Sequence, residues 1–133
     1  MGPDTHDTYR VAVERDLIAQ HSLTVPDPGP EGTVHSHHFT VTLVLTGPEL
    51  NEYGYLADID AVHAALDDIE ERYTDSLLND LSEFDGLNPS VEHFARLIGD
   101  RVAPRFEDAP ATTLTVRVHE DEAAWASHER TLD

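Results

Sequence analysis

The 133-residue chain is strongly acidic and contains no cysteine. Its 27 Asp and Glu residues outnumber 8 basic residues, all of them arginine, and the formal net charge is -19. Such a charge repels nucleic acid and anionic lipid, so we expect neither as a partner. The missing cysteine excludes disulfides, thiolate metal sites and a cysteine nucleophile, so a metal ion would need histidine and carboxylate ligands.

Length and composition predict one salt-adapted domain spanning residues 1–133. An acidic surface without lysine is typical of proteins that work in concentrated salt, where screening weakens self-repulsion; an acidic protein of an ordinary cytoplasm is the alternative. The chain shows no membrane-length apolar run and no signal-peptide pattern, so we expect a soluble, cytoplasmic protein without a membrane partner. We expect the polar start, residues 1–7, to be flexible.

Alternating apolar residues predict two strands in the first third of the chain. Odd positions from Tyr9 to Leu23 are largely apolar, with an interruption at Arg15 that predicts a bent or bulged strand. The segment TVPDPGPEGT, residues 24–33, is rich in proline and glycine and predicts a loop. The segment HSHHFTVTLVLTG, residues 35–47, alternates again and predicts a second strand.

The remaining elements follow from helical periodicity and a last alternating segment. Apolar residues at steps of three and four predict a helix from about Asp58 to Tyr73. Asn88-Pro89 predicts the N-cap and first-turn proline of a second helix, which ends near Pro104. TTLTVRVHED predicts a strand, followed by a short strand or loop near Trp125. This order predicts an α+β fold with both helices on one face of an antiparallel sheet.

Two histidines on one face of the second strand are candidate metal ligands. The period of two places His35 and His37 on the core-facing side, about 6–7 Å apart, which suits two ligands of one ion. His21 lies on the core-facing side of the preceding strand. Three imidazoles could therefore converge and leave a fourth position open, as in a catalytic zinc site. Alternatively, these are strand-end histidines that are only solvated or hydrogen-bonded.

Three carboxylates are further candidates. Glu120 continues the core-facing register of an apolar strand, where an unpaired carboxylate is costly. It could await a ligand with two adjacent N–H donors, such as the amino-pyrimidinone edge of a pterin or guanine; otherwise it lies beyond the strand's end and is hydrated. Glu31 and Asp75 are solvated surface acids unless the fold places them beside a metal.

Six short motifs in order, between about residues 9 and 125, resemble the 6-pyruvoyl-tetrahydropterin synthase / 6-carboxy-tetrahydropterin synthase family. AQHSL is similar to A-A-H-x-L, and HSHHFTVTLVLTG to H-G-H-x-Y followed by a strand and glycine. GYLADIDAV is similar to G-M-V-x-D-F-x-x-L, LLNDL to the L-N segment, NPSVEHFA to N-P-T-x-E-x-x-A, and VRVHED to V-x-V-x-E-T.

The resemblance implies a fold, an assembly and a set of site residues. His21, His35 and His37 match zinc ligands, Glu120 matches a pterin-anchoring glutamate, and Ser90 is implied to bind substrate. The implied fold is the tunnelling fold, a four-stranded antiparallel sheet with two helices on one face. Three subunits would form a barrel and two trimers a hexamer, with sites between subunits.

The resemblance also implies a substrate, 7,8-dihydroneopterin triphosphate, and three alternative products. One branch forms 6-pyruvoyl-tetrahydropterin. Another forms 6-carboxy-tetrahydropterin, a 7-deazaguanine precursor of the queuosine and archaeosine pathway. A third forms 6-hydroxymethyl-dihydropterin.

The departures from the family pattern lie among its catalytic residues. Glu31 occupies the position of the family's cysteine, and Thr74 and Asp75 those of its aspartate and histidine. Glu31 could act as general base and Asp75 as a second acid or base. We therefore expect a zinc-dependent pterin lyase of the 6-carboxy type. Glu31 is similar to the glutamate that stands in place of the cysteine in the hydroxymethyl-forming branch, so that branch is one alternative. A catalytically silent oligomer that binds zinc and pterin is the remaining alternative.

Overall fold

The computed structural model describes residues 8–132, in which a four-stranded antiparallel sheet packs against two α-helices. The strands, in both chain and sheet order, are β1 (Tyr9–His21), β2 (His35–Gly47), β3 (Thr113–His119) and β4 (Trp125–Thr131). The helices are α1 (Ile59–Tyr73) and α2 (Val91–Val102). The predicted α+β fold is confirmed, and the uncertain last segment is a strand. Residues 1–7, predicted to be flexible, lie outside the described residues.

The hydrophobic core lies between the helices and one face of the sheet. Alternation along the strands sends every second side chain toward the helices. The buried residues on this face include Leu17, Phe39, Val41, Leu43, Leu114, Val116 and Val118, and the helices add Val62, Leu66, Ile69, Phe94 and Ile98. Among residues 8–132, no helix is long and apolar enough to cross a membrane.

The interruption at Arg15 is not a bulge, so that prediction is wrong. Strand β1 pairs with β2 residue by residue, from Tyr9 opposite Gly47 to His21 opposite His35. Arg15 keeps its place in the helix-facing register, and its guanidinium donates to Asp67 at 2.8 Å and Glu70 at 3.0 Å on α1. A long side chain can stay in an apolar register when its charged end reaches carboxylates at the rim.

The helix starts differ in how well the sequence predicted them. Asp58 caps α1, as its side chain accepts a hydrogen bond from the Asp60 N–H at 2.9 Å. The cap of α2 is Ser90, whose hydroxyl accepts from the His93 N–H at 3.2 Å. The predicted cap at Asn88 is therefore wrong by two residues. This leaves the Asn88 side chain and the Pro89 carbonyl available for contacts outside the helix.

A partly buried ion pair joins the end of α1 to the turn that follows it. The hydroxyl of Tyr73, which is fully buried, donates to Glu83 at 2.8 Å. Arg72 also donates to the Glu83 carboxylate, at 2.6 Å and 3.2 Å. The hydrogen bond from Arg72 lowers the pKa of Glu83 to about 2. Burial, followed by the bond to Glu83, raises the pKa of Tyr73.

Replacing Glu83 with alanine should therefore destabilise the fold by about 3 kcal/mol near neutral pH. The folded-state pKa of Glu83 is depressed from 4.5 to about 2, so its contribution is complete above the unfolded value and is lost as pH falls between the two. Urea unfolding near pH 7 and near pH 3 measures this. The gap between wild type and Glu83→Ala should shrink at the lower pH, and a gap that stays constant contradicts the prediction. Glu71→Ala, which changes an exposed acid of α1, is the control and should have little effect.

Candidate functional site

Three histidines gather where β1 ends and β2 begins, on the face that carries the helices. His21 lies directly opposite His35 in the strand register. The ring centroids of His21 and His35 are 4.6 Å apart, those of His21 and His37 5.6 Å, and those of His35 and His37 6.3 Å. His21 is buried, while His35 and His37 are partly exposed. The structure thus brings together the three imidazoles that the alternation placed on one face.

Each of the three rings has its Nδ1 atom within hydrogen-bonding distance of a backbone carbonyl. The acceptors are the carbonyls of Pro89 for His21 at 3.1 Å, of Thr33 for His35 at 2.8 Å, and of His38 for His37 at 3.0 Å. Because a carbonyl only accepts, we assign the proton to Nδ1, which leaves Nε2 of each neutral ring as an unprotonated donor of an electron pair. Nε2 of His35 is buried and has no partner. Metal-binding histidines are oriented in this way by their second nitrogen.

The surroundings of His21 favour its neutral form. Burial lowers the pKa of His21, and the nearby His35 and His37 lower it further. The bond to Pro89 and the charge of Glu31 act in the opposite direction, but burial is the largest contribution. The neutral imidazole is the form that can bind a metal.

The donor atoms of the three clustered histidines do not converge on one point. No three His, Asp or Glu side chains of residues 8–132 already hold their donor atoms in coordinating positions. The His21 and His35 rings instead pack edge to face at 61°. Three neutral imidazoles match the nitrogen ligands that zinc prefers, at about 2.0–2.1 Å. The three histidines therefore supply the ligand type that zinc binds, while their donor atoms do not converge on one position in this structure.

Glu31 lies beside this cluster, in the short 3-10 turn Gly29–Gly32 of the predicted loop. The Glu31 carbonyl accepts a hydrogen bond at 2.8 Å from the N–H of Leu23, which lies two residues after His21 in the chain. The Glu31 side chain is exposed, yet close enough to His21 to raise the pKa of that ring. The structure therefore places an exposed carboxylate in the loop that joins His21 to β2.

Asp75 lies on the outer edge of β1 and does not join the cluster within one chain. Its N–H donates to the Ile18 carbonyl at 2.8 Å, and its φ of 59° is in the left-handed region that Asp tolerates better than most residues. Its side chain is exposed. No hydrogen bond among the described residues links it to Glu31 or to a histidine of the cluster.

Glu120 is not in the core-facing register, and the structure agrees with the alternative that it lies beyond the strand's end and is exposed. Strand β3 ends at His119, and Glu120 is exposed one residue beyond it, with its N–H bonded to the Ala124 carbonyl at 2.9 Å. Its neighbours line an open cavity of about 480 Å³ that includes Glu14, His38, Thr40, His119 and Asp121. Neither this cavity nor a larger one of about 540 Å³ near Tyr55 and Ile59 is lined by a histidine of the cluster.

Ser90 lies next to the residue that holds His21. Its hydroxyl caps α2, while the preceding carbonyl, that of Pro89, accepts from His21. The role of the Pro89 carbonyl was missed in the sequence. The NPS segment that carries it stood out only as a helix start and as part of a family motif.

A four-stranded antiparallel sheet with two helices on one face is the tunnelling-type fold. The family model of 6-pyruvoyl tetrahydropterin synthase matches residues 10–131, and the chain belongs to this family.

Known proteins similar to this chain share its fold at low sequence identity. The 6-carboxy-5,6,7,8-tetrahydropterin synthase of Bacillus subtilis (strain 168) is 26% identical over 106 residues, which cover 75% of this chain and 70% of that protein. The crystal structure of 6-pyruvoyl tetrahydropterin synthase from Plasmodium vivax has a TM-score of 0.76 at 15% identity and covers 94% of this chain and 99% of its own. Two further structures of the Plasmodium vivax protein, each with a TM-score of 0.71, carry alanine or cysteine in place of a glutamate described as a catalytic residue.

Proposed function

We propose that this protein is a zinc-dependent lyase that acts on 7,8-dihydroneopterin triphosphate and forms 6-carboxy-tetrahydropterin for 7-deazaguanine synthesis. The observation that carries the proposal is the orientation of His21, His35 and His37, whose Nδ1 atoms face backbone carbonyls and whose Nε2 atoms remain free to bind a metal. The similarity to the Bacillus subtilis protein supports the 6-carboxy product. When bound, zinc supplies Lewis-acid polarisation of a substrate oxygen.

Glu31 is the general base in this proposal. Its exposed carboxylate can accept a proton from the substrate side chain without first losing another partner. A glutamate is a catalytic residue in the Plasmodium vivax neighbour, which supports a carboxylate in this role. We assign Asp75 to a site shared between subunits, because it lies at the sheet edge and makes no hydrogen bond to the cluster of its own chain among the described residues.

Glu120 and Ser90 are the proposed substrate-binding residues. The carboxylate of Glu120 makes no hydrogen bond with the described residues, and it can accept the two adjacent N–H donors of a pterin. The Ser90 hydroxyl accepts from the His93 N–H and keeps its own proton to donate to a ligand. Both roles rest on the family resemblance together with these free hydrogen-bonding groups.

A homohexamer, built as a dimer of trimers, is part of the proposal. Strand β4 has no partner strand on its outer side among the described residues, and Ile18 and Trp125 are 48% and 50% exposed. Unpaired edges and exposed apolar side chains favour association with another sheet. Light scattering in concentrated salt, which screens the charge of -19, measures the size of the assembly.

A second candidate reaction is cleavage to 6-hydroxymethyl-dihydropterin. It is favoured by Glu31, because the family branch with this product resembles the present chain in having glutamate in place of cysteine. The 6-pyruvoyl-forming branch and a silent protein that binds zinc and pterin are the remaining alternatives.

The test is turnover by metal-free protein in concentrated salt, with and without added zinc. We expect 7,8-dihydroneopterin triphosphate to be consumed only when zinc is present. Zinc and pterin binding without consumption would favour the silent alternative. Folded protein that binds no zinc at all would contradict the proposal.

A further inference from the structure

The three residues after His21 are held in place although β1 has ended. Their successive N–H groups all donate to fixed acceptors: Ser22 to the Asn79 side chain at 2.9 Å, Leu23 to the Glu31 carbonyl at 2.8 Å, and Thr24 to the Asn88 side chain at 2.9 Å. Two asparagine side chains therefore flank the backbone hydrogen bond from Leu23 to the Glu31 turn. We call residues 22–24 the clamped segment.

The two asparagines use different parts of their amide groups. Asn79 accepts from the Ser22 N–H through Oδ1 and donates to the Ser22 carbonyl through Nδ2, both at 2.9 Å. The Asn79 side chain thus pairs with the Ser22 backbone as a residue of a neighbouring strand would. Just before it in the chain, Leu77 forms an isolated β-bridge with Gln20. Asn88 only accepts, from the N–H of Thr24 at 2.9 Å and from its hydroxyl at 3.4 Å. The next carbonyl, that of Pro89, then accepts from His21.

We propose that Asn79 is a positioning residue that sets the His21 ring relative to Glu31. The inference deepens the proposed function and rests on it for the identity of the metal. Ser22 follows His21 in the chain, and the Leu23 N–H donates to the Glu31 carbonyl, so displacement of the clamped segment changes the position of His21 relative to the Glu31 turn. Partners that orient metal ligands are worth about 10- to 100-fold in metal affinity.

The same substitution at the two positions tests the proposal. Asn79→Asp replaces a donor with an acceptor that repels the Ser22 carbonyl, whereas Asn88→Asp keeps the acceptor that Thr24 uses. Both add one negative charge near the site, so their difference reports the lost hydrogen bond. We expect the zinc dissociation constant of the full chain, measured by chelator competition, to rise about 10- to 100-fold for Asn79→Asp. It should stay close to wild type for Asn88→Asp.

A control variant separates positioning from general stability. Asn51 also accepts two backbone hydrogen bonds, from the N–H groups of Tyr53 at 2.9 Å and Tyr55 at 3.0 Å, in the segment after β2. Asn51→Ala should lower the urea midpoint and leave the zinc dissociation constant unchanged. Equal zinc affinity of Asn79→Asp and wild type would overturn the proposal, as would equal losses for Asn79→Asp and Asn88→Asp.

A second measurement does not depend on zinc. Amide hydrogen exchange of Ser22, Leu23 and Thr24 in the metal-free protein should be faster in Asn79→Asp than in wild type, since the clamped segment has lost one anchor. Unchanged protection would overturn the inference. If wild type binds no zinc while this exchange difference is present, the proposed function is wrong. The role of Asn79 in holding the clamped segment is then still supported.

Discussion

Replacing His37 with alanine should abolish stoichiometric zinc binding, whereas replacing His38 should leave it intact. His37 faces His21 and His35, while the next residue along the strand points to the opposite face, beside Asp16 at 3.6 Å. Loss of a residue that only orients a metal ligand can weaken zinc binding by up to about 100-fold. Loss of a direct ligand should weaken zinc binding by more than this. Zinc content after dialysis and titration calorimetry both measure the effect.

This pair of variants is matched in residue type and in place along the chain. His38→Ala removes the same kind of side chain from the adjacent position, so it controls for the loss of an imidazole that is not a zinc ligand. Retention of stoichiometric zinc by His37→Ala would contradict the assigned ligand set. Equal loss in both variants would do the same.

Glu31→Gln should lower kcat by about 100- to 10,000-fold, the range of general base catalysis by a positioned side chain. The substitution keeps the size of the side chain but removes its basicity. Because Glu31 is not among the proposed ligands, zinc affinity should change little. Steady-state turnover of 7,8-dihydroneopterin triphosphate together with zinc titration measures both quantities.

A neighbouring acid of the same loop provides the control for Glu31. Asp27 is exposed and has a φ of 52°, which asparagine tolerates, so Asp27→Asn removes one loop charge without backbone strain. It should leave kcat close to wild type. If Glu31→Gln turns over as fast as wild type, Glu31 is not the base.

Alternation within each strand was enough to predict which histidines come together. A period of two placed His35 and His37 on one face, and the loop between the strands placed His21 next to them. The structure adds the register, in which His21 lies opposite His35. Residue spacing was enough to predict these faces, because the face on which a strand side chain lies depends only on backbone geometry.

Strand ends and contacts between distant segments were beyond such patterns. Alternation does not show where pairing stops, so Glu120 was extrapolated into a strand that ends at His119. Arg15 interrupted the pattern without a bulge because carboxylates of α1 lie within its reach. The bonds from Asn79 to Ser22 join residues 57 positions apart, and no local pattern reports such a contact.

The mass of the pterin product formed from 7,8-dihydroneopterin triphosphate by the zinc-loaded protein in concentrated salt tests the proposed function most directly. The proposed function predicts 6-carboxy-tetrahydropterin, absent when zinc is removed. A product with the mass of 6-hydroxymethyl-dihydropterin or 6-pyruvoyl-tetrahydropterin, or no pterin product at all from folded, zinc-loaded protein, would contradict it.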